Sequence, residues 1–118
     1  MNFYEIEKKI YSLFDDEVEC EFRDDFDYRH NKYNVVVKIE NGTDKQDAEE
    51  YGLTISIVGN KRYKASILSK QAKIDKMINN YNDEQIWIRR ENIFKTSYLD
   101  KEKYNAVLMY SIHILKEV

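Results

Sequence analysis

Two histidines, a single cysteine and a dense run of carboxylates are the residues of this chain whose types could do chemistry. An imidazole titrates near neutral pH and is the most frequent general acid or base. Two of them acting with a Lys or Arg on a phosphate would make a nuclease. His30 lies in the polar stretch Arg29-His30-Asn31 and His113 in the apolar stretch Ala106 to Leu115. These settings predict a solvent-exposed His30 and a His113 held in a core or interface, not a catalytic pair. Cys20 stands between Glu19 and Glu21, and flanking carboxylates disfavour the thiolate that a reactive cysteine needs. Its alternation with Val18 and Phe22 predicts an inward, structural side chain.

Metal and phosphate chemistry find as little support. One Cys and two distant His offer no paired-ligand spacing for zinc. Asp24, Asp25 and Asp27 supply the oxygens a hard cation prefers, but the calcium-loop spacing with its central Gly and terminal Glu is missing. Asp27 with Lys38 is the kind of pair a metal nuclease uses, and almost any charged α+β protein offers one. Gly42, Gly52 and Gly59 are too far apart to form a phosphate-cradling loop. The expectation is a chain with no catalytic residues, no metal and no cofactor.

The carboxylates themselves are the most distinctive feature. Eight of them (Asp15, Asp16, Glu17, Glu19, Glu21, Asp24, Asp25 and Asp27) fall within 13 residues, against the single Arg23. The net charge of −3 hides an asymmetry: residues 1–50 carry 15 acids and 7 bases, residues 51–118 carry 7 acids and 12 bases. An acidic run can be a solubilising face on a strand edge, or a surface that steers a basic partner into place. Alternation puts Glu19 and Glu21 opposite Val18, Cys20 and Phe22, so burying those carboxylates would turn apolar side chains outward. Asp24, Asp25 and Asp27 extend the negative field, and Phe26, Tyr28 and Tyr33 could act as aromatic anchors. Glu19, Glu21, Asp24, Asp25, Asp27 and Tyr28 are therefore the expected partner-binding residues.

The bases of the second half are dispersed: Lys61, Arg62 and Lys64 on one expected hairpin, Arg89 and Arg90 after Trp87. Bases beside an aromatic can hold single-stranded nucleic acid, but the net charge is negative and no nucleic-acid-binding motif is present. Direct nucleic-acid binding is disfavoured.

Two periodicities describe the scaffold. Phe3, Ile6, Ile10, Leu13 and Phe14 recur at helical spacing and predict a helix over 3–14, with Asn2 and Glu5 as a capping box. Alternation then predicts strands at Val18 to Phe22, Tyr33 to Glu40 and Leu53 to Ile57. It predicts a fourth at Tyr63 to Ile67 after the turn Gly59-Asn60. A second helix is expected over 69–81, ended by Asn79, Asn80 and Asn82. Gln85 to Arg89 reads as a strand, and Ile93 to Leu99 as strand or loop. The long apolar run after Asp100 reads as a C-terminal helix, although Val107 to Leu115 also fits a buried strand. The sum is one α+β domain over 1–118: an antiparallel meander sheet of four or five strands packed by an N-terminal, a middle and a C-terminal helix.

A chain of 118 residues is the size of one domain. The lone cysteine and the lack of a secretory-signal pattern or membrane-spanning run point to the cytoplasm. Small, acidic and without a catalytic constellation, the chain is expected to occupy another protein's surface. The leading expectation is an immunity protein neutralising a nuclease-type toxin, with an anti-defence inhibitor of a nucleic-acid-handling enzyme as the alternative. Both rest on analogy of profile. An accessory, self-associating domain is the third class.

Overall fold

The structure, a computed structural model, describes residues 3–14, 20–21, 33–44 and 48–115. It is α+β, with two α-helices among the described residues and a sheet whose four long strands run antiparallel. Helix α1 (Phe3–Ser12) is followed by the short strand β1 (Cys20–Glu21), β2 (Tyr33–Asp44) and β3 (Ala48–Asn60). A 3-10 turn (Lys61–Tyr63) leads into α2 (Lys64–Ile78), then come β4 (Ile86–Asp100) and β5 (Lys103–Leu115). The sheet order is β1-β2-β3-β5-β4.

Both helices cover one face of the sheet. Ile6 and Ile10 of α1 and Ile67, Ile74 and Ile78 of α2 are fully buried against a single layer of strand residues. That layer is Val35, Val37 and Ile39 of β2, Leu53, Ile55 and Ile57 of β3, Ile86 and Ile88 of β4, and alternate residues from Tyr104 to Ile114 of β5. The period of two selects this face along each strand, and the spacing Ile67, Gln71, Ile74, Ile78 selects the matching stripe of α2.

Four sequence expectations change. Residues 63–67 are not a strand: Tyr63 ends the 3-10 turn and residues 64–67 form the first turn of α2. Tyr63, Ala65 and Ile67 do alternate, but Ile67 belongs to the helical stripe, and the Asn60 side chain accepts a hydrogen bond from the Arg62 N–H to begin the 3-10 turn. The stretch after Asp100 is the strand β5, not a helix. It lies between β3 and β4, and the apolar, partly buried Val107 and Met109 on the face away from the helices mask the alternation of Tyr104, Ala106, Leu108, Tyr110, Ile112 and Ile114. The order is not a simple meander, because α2 carries the chain past the place that β5 later fills. β1 pairs parallel, not antiparallel, to β2, with Cys20 opposite Val35 and Glu21 opposite Val36.

Candidate interaction site

Strand β4 forms one edge of the sheet and changes character along its length. Ile86 and Ile88 point into the core opposite Ile114 and Ile112. The ladder then breaks: Arg90 faces Tyr110 and Lys95 faces Leu108, so Glu91, Asn92, Ile93 and Phe94 stand opposite Met109 alone. Such a bulge bends an edge strand and re-aims its side chains. Beyond it, every residue from Lys95 to Asp100 is exposed although still paired with β5. Ile93 is 73% exposed, Leu99 57% and Tyr98 52%. Tyr98 and Leu99, being adjacent, lie on opposite faces, so both sides of this edge present apolar surface.

The bulge is anchored by charge. Arg90 donates through Nε and Nη2 to the two carboxylate oxygens of Asp75 on α2, and its guanidinium stacks on the Phe94 ring at 4.3 Å. The same Asp75 accepts a 2.6 Å hydrogen bond from the buried Tyr110 hydroxyl. Burial alone would push the Asp75 carboxyl up, but the bonds from Arg90 and Tyr110 outweigh it and hold it below its ordinary value; burial and the carboxylate together push the Tyr110 hydroxyl well up. Glu91 accepts from the Ser111 hydroxyl on the other face. Past the bulge, the buried Gln71 amide donates to the carbonyls of Thr96 (3.2 Å) and Val107 (3.0 Å), tying the far half of β4 to α2.

The start of β4 is held by Asp83. Its Oδ1 accepts from the backbone N–H of Gln85 (2.7 Å) and Ile86 (2.9 Å), and its Oδ2 from Lys9 of α1 (2.5 Å) and the Tyr81 hydroxyl (3.0 Å). Burial pushes this carboxyl up, yet these four donors together hold it far below the ordinary carboxylate range.

No helix among the described residues covers the second face of the sheet. Glu50, His113 and Trp87 form one row across it. The His113 Nε2 lies 3.8 Å from a Glu50 oxygen, the two rings are 5.4 Å apart, and Arg89 sits over the indole at 5.5 Å. Trp87 is thus a surface residue, 38% exposed. Further along, a shallow hollow of about 300 Å³ is floored by Val36, Ser56 and Val58, with Lys38 and Lys103 on its rim.

Of the expected partner-binding residues, only Glu21 falls in a described element, as the backbone of β1. Glu19, Asp24, Asp25, Asp27 and Tyr28, with His30, lie outside the described residues. Lys38 is exposed and lies 3.3 Å from Glu40. Among the described residues no three His, Cys, Asp or Glu side chains are grouped to hold a metal ion, and no helix is long and apolar enough to cross a membrane. Sequence reasoning missed the Lys95 to Asp100 edge. The available signal was that Tyr98 and Leu99 are adjacent and so cannot both face one core.

No protein-family model matches the chain, and a search of curated proteins finds no relative.

Proposed function

We propose that this chain is a non-catalytic assembly subunit that works by self-association through the β4 edge of its sheet. The observation that carries the reading is the Lys95 to Asp100 edge, exposed on both faces and carrying Tyr98 and Leu99. An unpaired strand offers a row of N–H and C=O groups to another chain, and proteins usually blunt such edges when they are not used. Here the charged residues at 90 and 91 and the bulge protect the near half of β4, while the far half keeps its apolar side chains in solvent. Light scattering on the purified protein over a range of concentration tests this. Wild type should form a species larger than one chain. Tyr98→Asp with Leu99→Asp should return it to the monomer with little change in circular dichroism. A wild type that stays monomeric at millimolar concentration overturns the reading.

The density of carboxylates between Asp15 and Asp27 favours a second reading, an inhibitor or immunity protein that docks on a basic protein. Reversing Glu19, Glu21, Asp24 and Asp25 to Lys would then slow association with that partner, and the wild-type rate would fall with salt.

A further inference from the structure

We infer that His113 is a proton-operated clasp on the face of the sheet away from the helices. On taking a proton from solvent it closes on Glu50 and holds the indole of Trp87, tying β3 to β4 across β5. The device is independent of self-association. The ladder makes the placement: Glu50 pairs with His113 and His113 with Trp87, so the three side chains stand in one row. The His113 side chain is 15% exposed, and its Nε2 is buried with no hydrogen bond among the described residues. A Glu50 carboxylate oxygen lies 3.8 Å from it, beyond hydrogen-bond reach. The clasp therefore stands open, a buried ring nitrogen without a partner beside a carboxylate that is slightly too far.

Protonation changes what each neighbour offers. An imidazolium donates from both ring nitrogens, so Nε2 becomes a charged donor facing a carboxylate, and a small torsional adjustment closes the gap. The His113 and Trp87 ring centroids are 5.4 Å apart with planes tilted 33°, within the range at which an indole attracts a cation. The next row runs from Glu40 through Gly52 and Ser111 to Arg89. Glu40 is held by Lys38, and Glu91 accepts from the Ser111 hydroxyl. In the two rows three carboxylates thus stand against one guanidinium and the Lys38 ammonium. Arg89 lies over the indole at 5.5 Å and is exposed, so water screens its repulsion. Burial of the imidazole opposes its charge, and that is the cost the Glu50 carboxylate must outweigh.

Trp87 is the only tryptophan of the chain, so its fluorescence reads the clasp. A protonated imidazole against an indole quenches its emission. Between pH 8 and pH 5, where an imidazole changes charge and Asp75 and Asp83 are still ionised, wild-type emission should fall along one titration curve. His113→Gln should flatten that curve. Glu50→Gln removes the opposite charge and should keep the curve while lowering its midpoint by about one pH unit. Thermal melts give a second readout. From pH 8 to pH 5.5 wild type should gain stability relative to His113→Gln, because the closed clasp binds the proton more tightly than the unfolded chain does. A flat wild-type curve, or one that survives in His113→Gln, overturns the clasp. A wild type that loses stability against His113→Gln on acidification overturns it too, since burial then outweighs Glu50. Should His113→Gln fail to fold, the Glu50→Gln midpoint decides, and an unmoved midpoint sinks the inference.

Discussion

Asp75 and Arg90 meet side by side across the junction of α2 and β4, two nitrogens of the guanidinium on two oxygens of the carboxylate, and Tyr110 closes the group from β5. Tyr110 is 1% exposed, so its hydroxyl depends on Asp75 for an acceptor. Asp75→Ala should destabilise the fold by about 1–3 kcal/mol, the cost of leaving a buried polar group unmet. In an Asp75→Ala background, Tyr110→Phe should cost less than it does in wild type, because the hydroxyl has already lost its partner. Urea unfolding of the two single variants and the double variant measures that coupling.

The acid limb of stability should depend on Asp75 and Asp83. Both carboxyls ionise more readily in the folded protein than in the unfolded chain, so the unfolded state binds more protons as the pH falls through the carboxylate range. Their contribution is complete above about pH 5 and is lost progressively below the unfolded value of about 4. Asp83→Asn keeps an acceptor for the Gln85 and Ile86 N–H groups but removes the charge facing Lys9. Its urea midpoint should fall less steeply than that of wild type between pH 5 and pH 2. An unchanged slope would show that the Lys9–Asp83 pair does not stabilise the fold.

The core prediction concerns one residue from each layer. Ile10 and Ile55 are both fully buried, and truncation to Ala at either should cost about 2–5 kcal/mol, a large share of the stability of a small domain. A thermal melt of each variant is sufficient. Neutral results at both would mean that α1 does not pack on this face.

Lys101 closes the β4–β5 hairpin with φ 56°. An L residue in the left-handed region pays about 1–2 kcal/mol that glycine does not, while glycine gives back about 0.5–1 kcal/mol through the entropy of the unfolded chain. Lys101→Gly should therefore raise stability by up to about 1 kcal/mol, and Lys101→Val should lower it. Matched thermal melts check both signs.

Much of the scaffold was legible in the sequence because a single face decides the burial of each element. The apolar spacing of α1 and the alternation of β2 and of the middle of β3 name Ile6, Ile10, Val35, Val37, Ile39, Leu53, Ile55 and Ile57, all buried, with Leu13, Phe14 and Tyr33 partly so. Reading failed where two periods overlap or where apolar residues also stand on the face away from the helices. Ile67 satisfies a strand pattern with Tyr63 and Ala65 and a helical one with Gln71 and Ile74, and only the second continues. In β5 the inner position of the strand admits Val107 and Met109 on the face away from the helices, which makes a strand look like a long apolar helix. The bulge between Arg90 and Lys95 defeats alternation outright, since four residues oppose one and the strand cannot be followed across it by period. The expected acidic binding residues are a matter of charge density, legible in the sequence whatever backbone carries them.

The position of β5 also has a kinetic consequence. Its ladder with β3 runs from Asn60 paired with Lys103 to Ala48 paired with Leu115, and every rung joins residues far apart in the chain. Two hairpins, β2–β3 and β4–β5, can form locally, but the seam that unites them must wait until α2 has brought the second back onto the first. Chains dominated by such non-local pairing fold in milliseconds to seconds rather than microseconds. During that interval β3 and β5 each expose an unpaired inner edge. Brief exposure of two more edges, on a molecule that keeps Tyr98 and Leu99 in solvent when folded, should make refolding yield fall steeply as protein concentration rises.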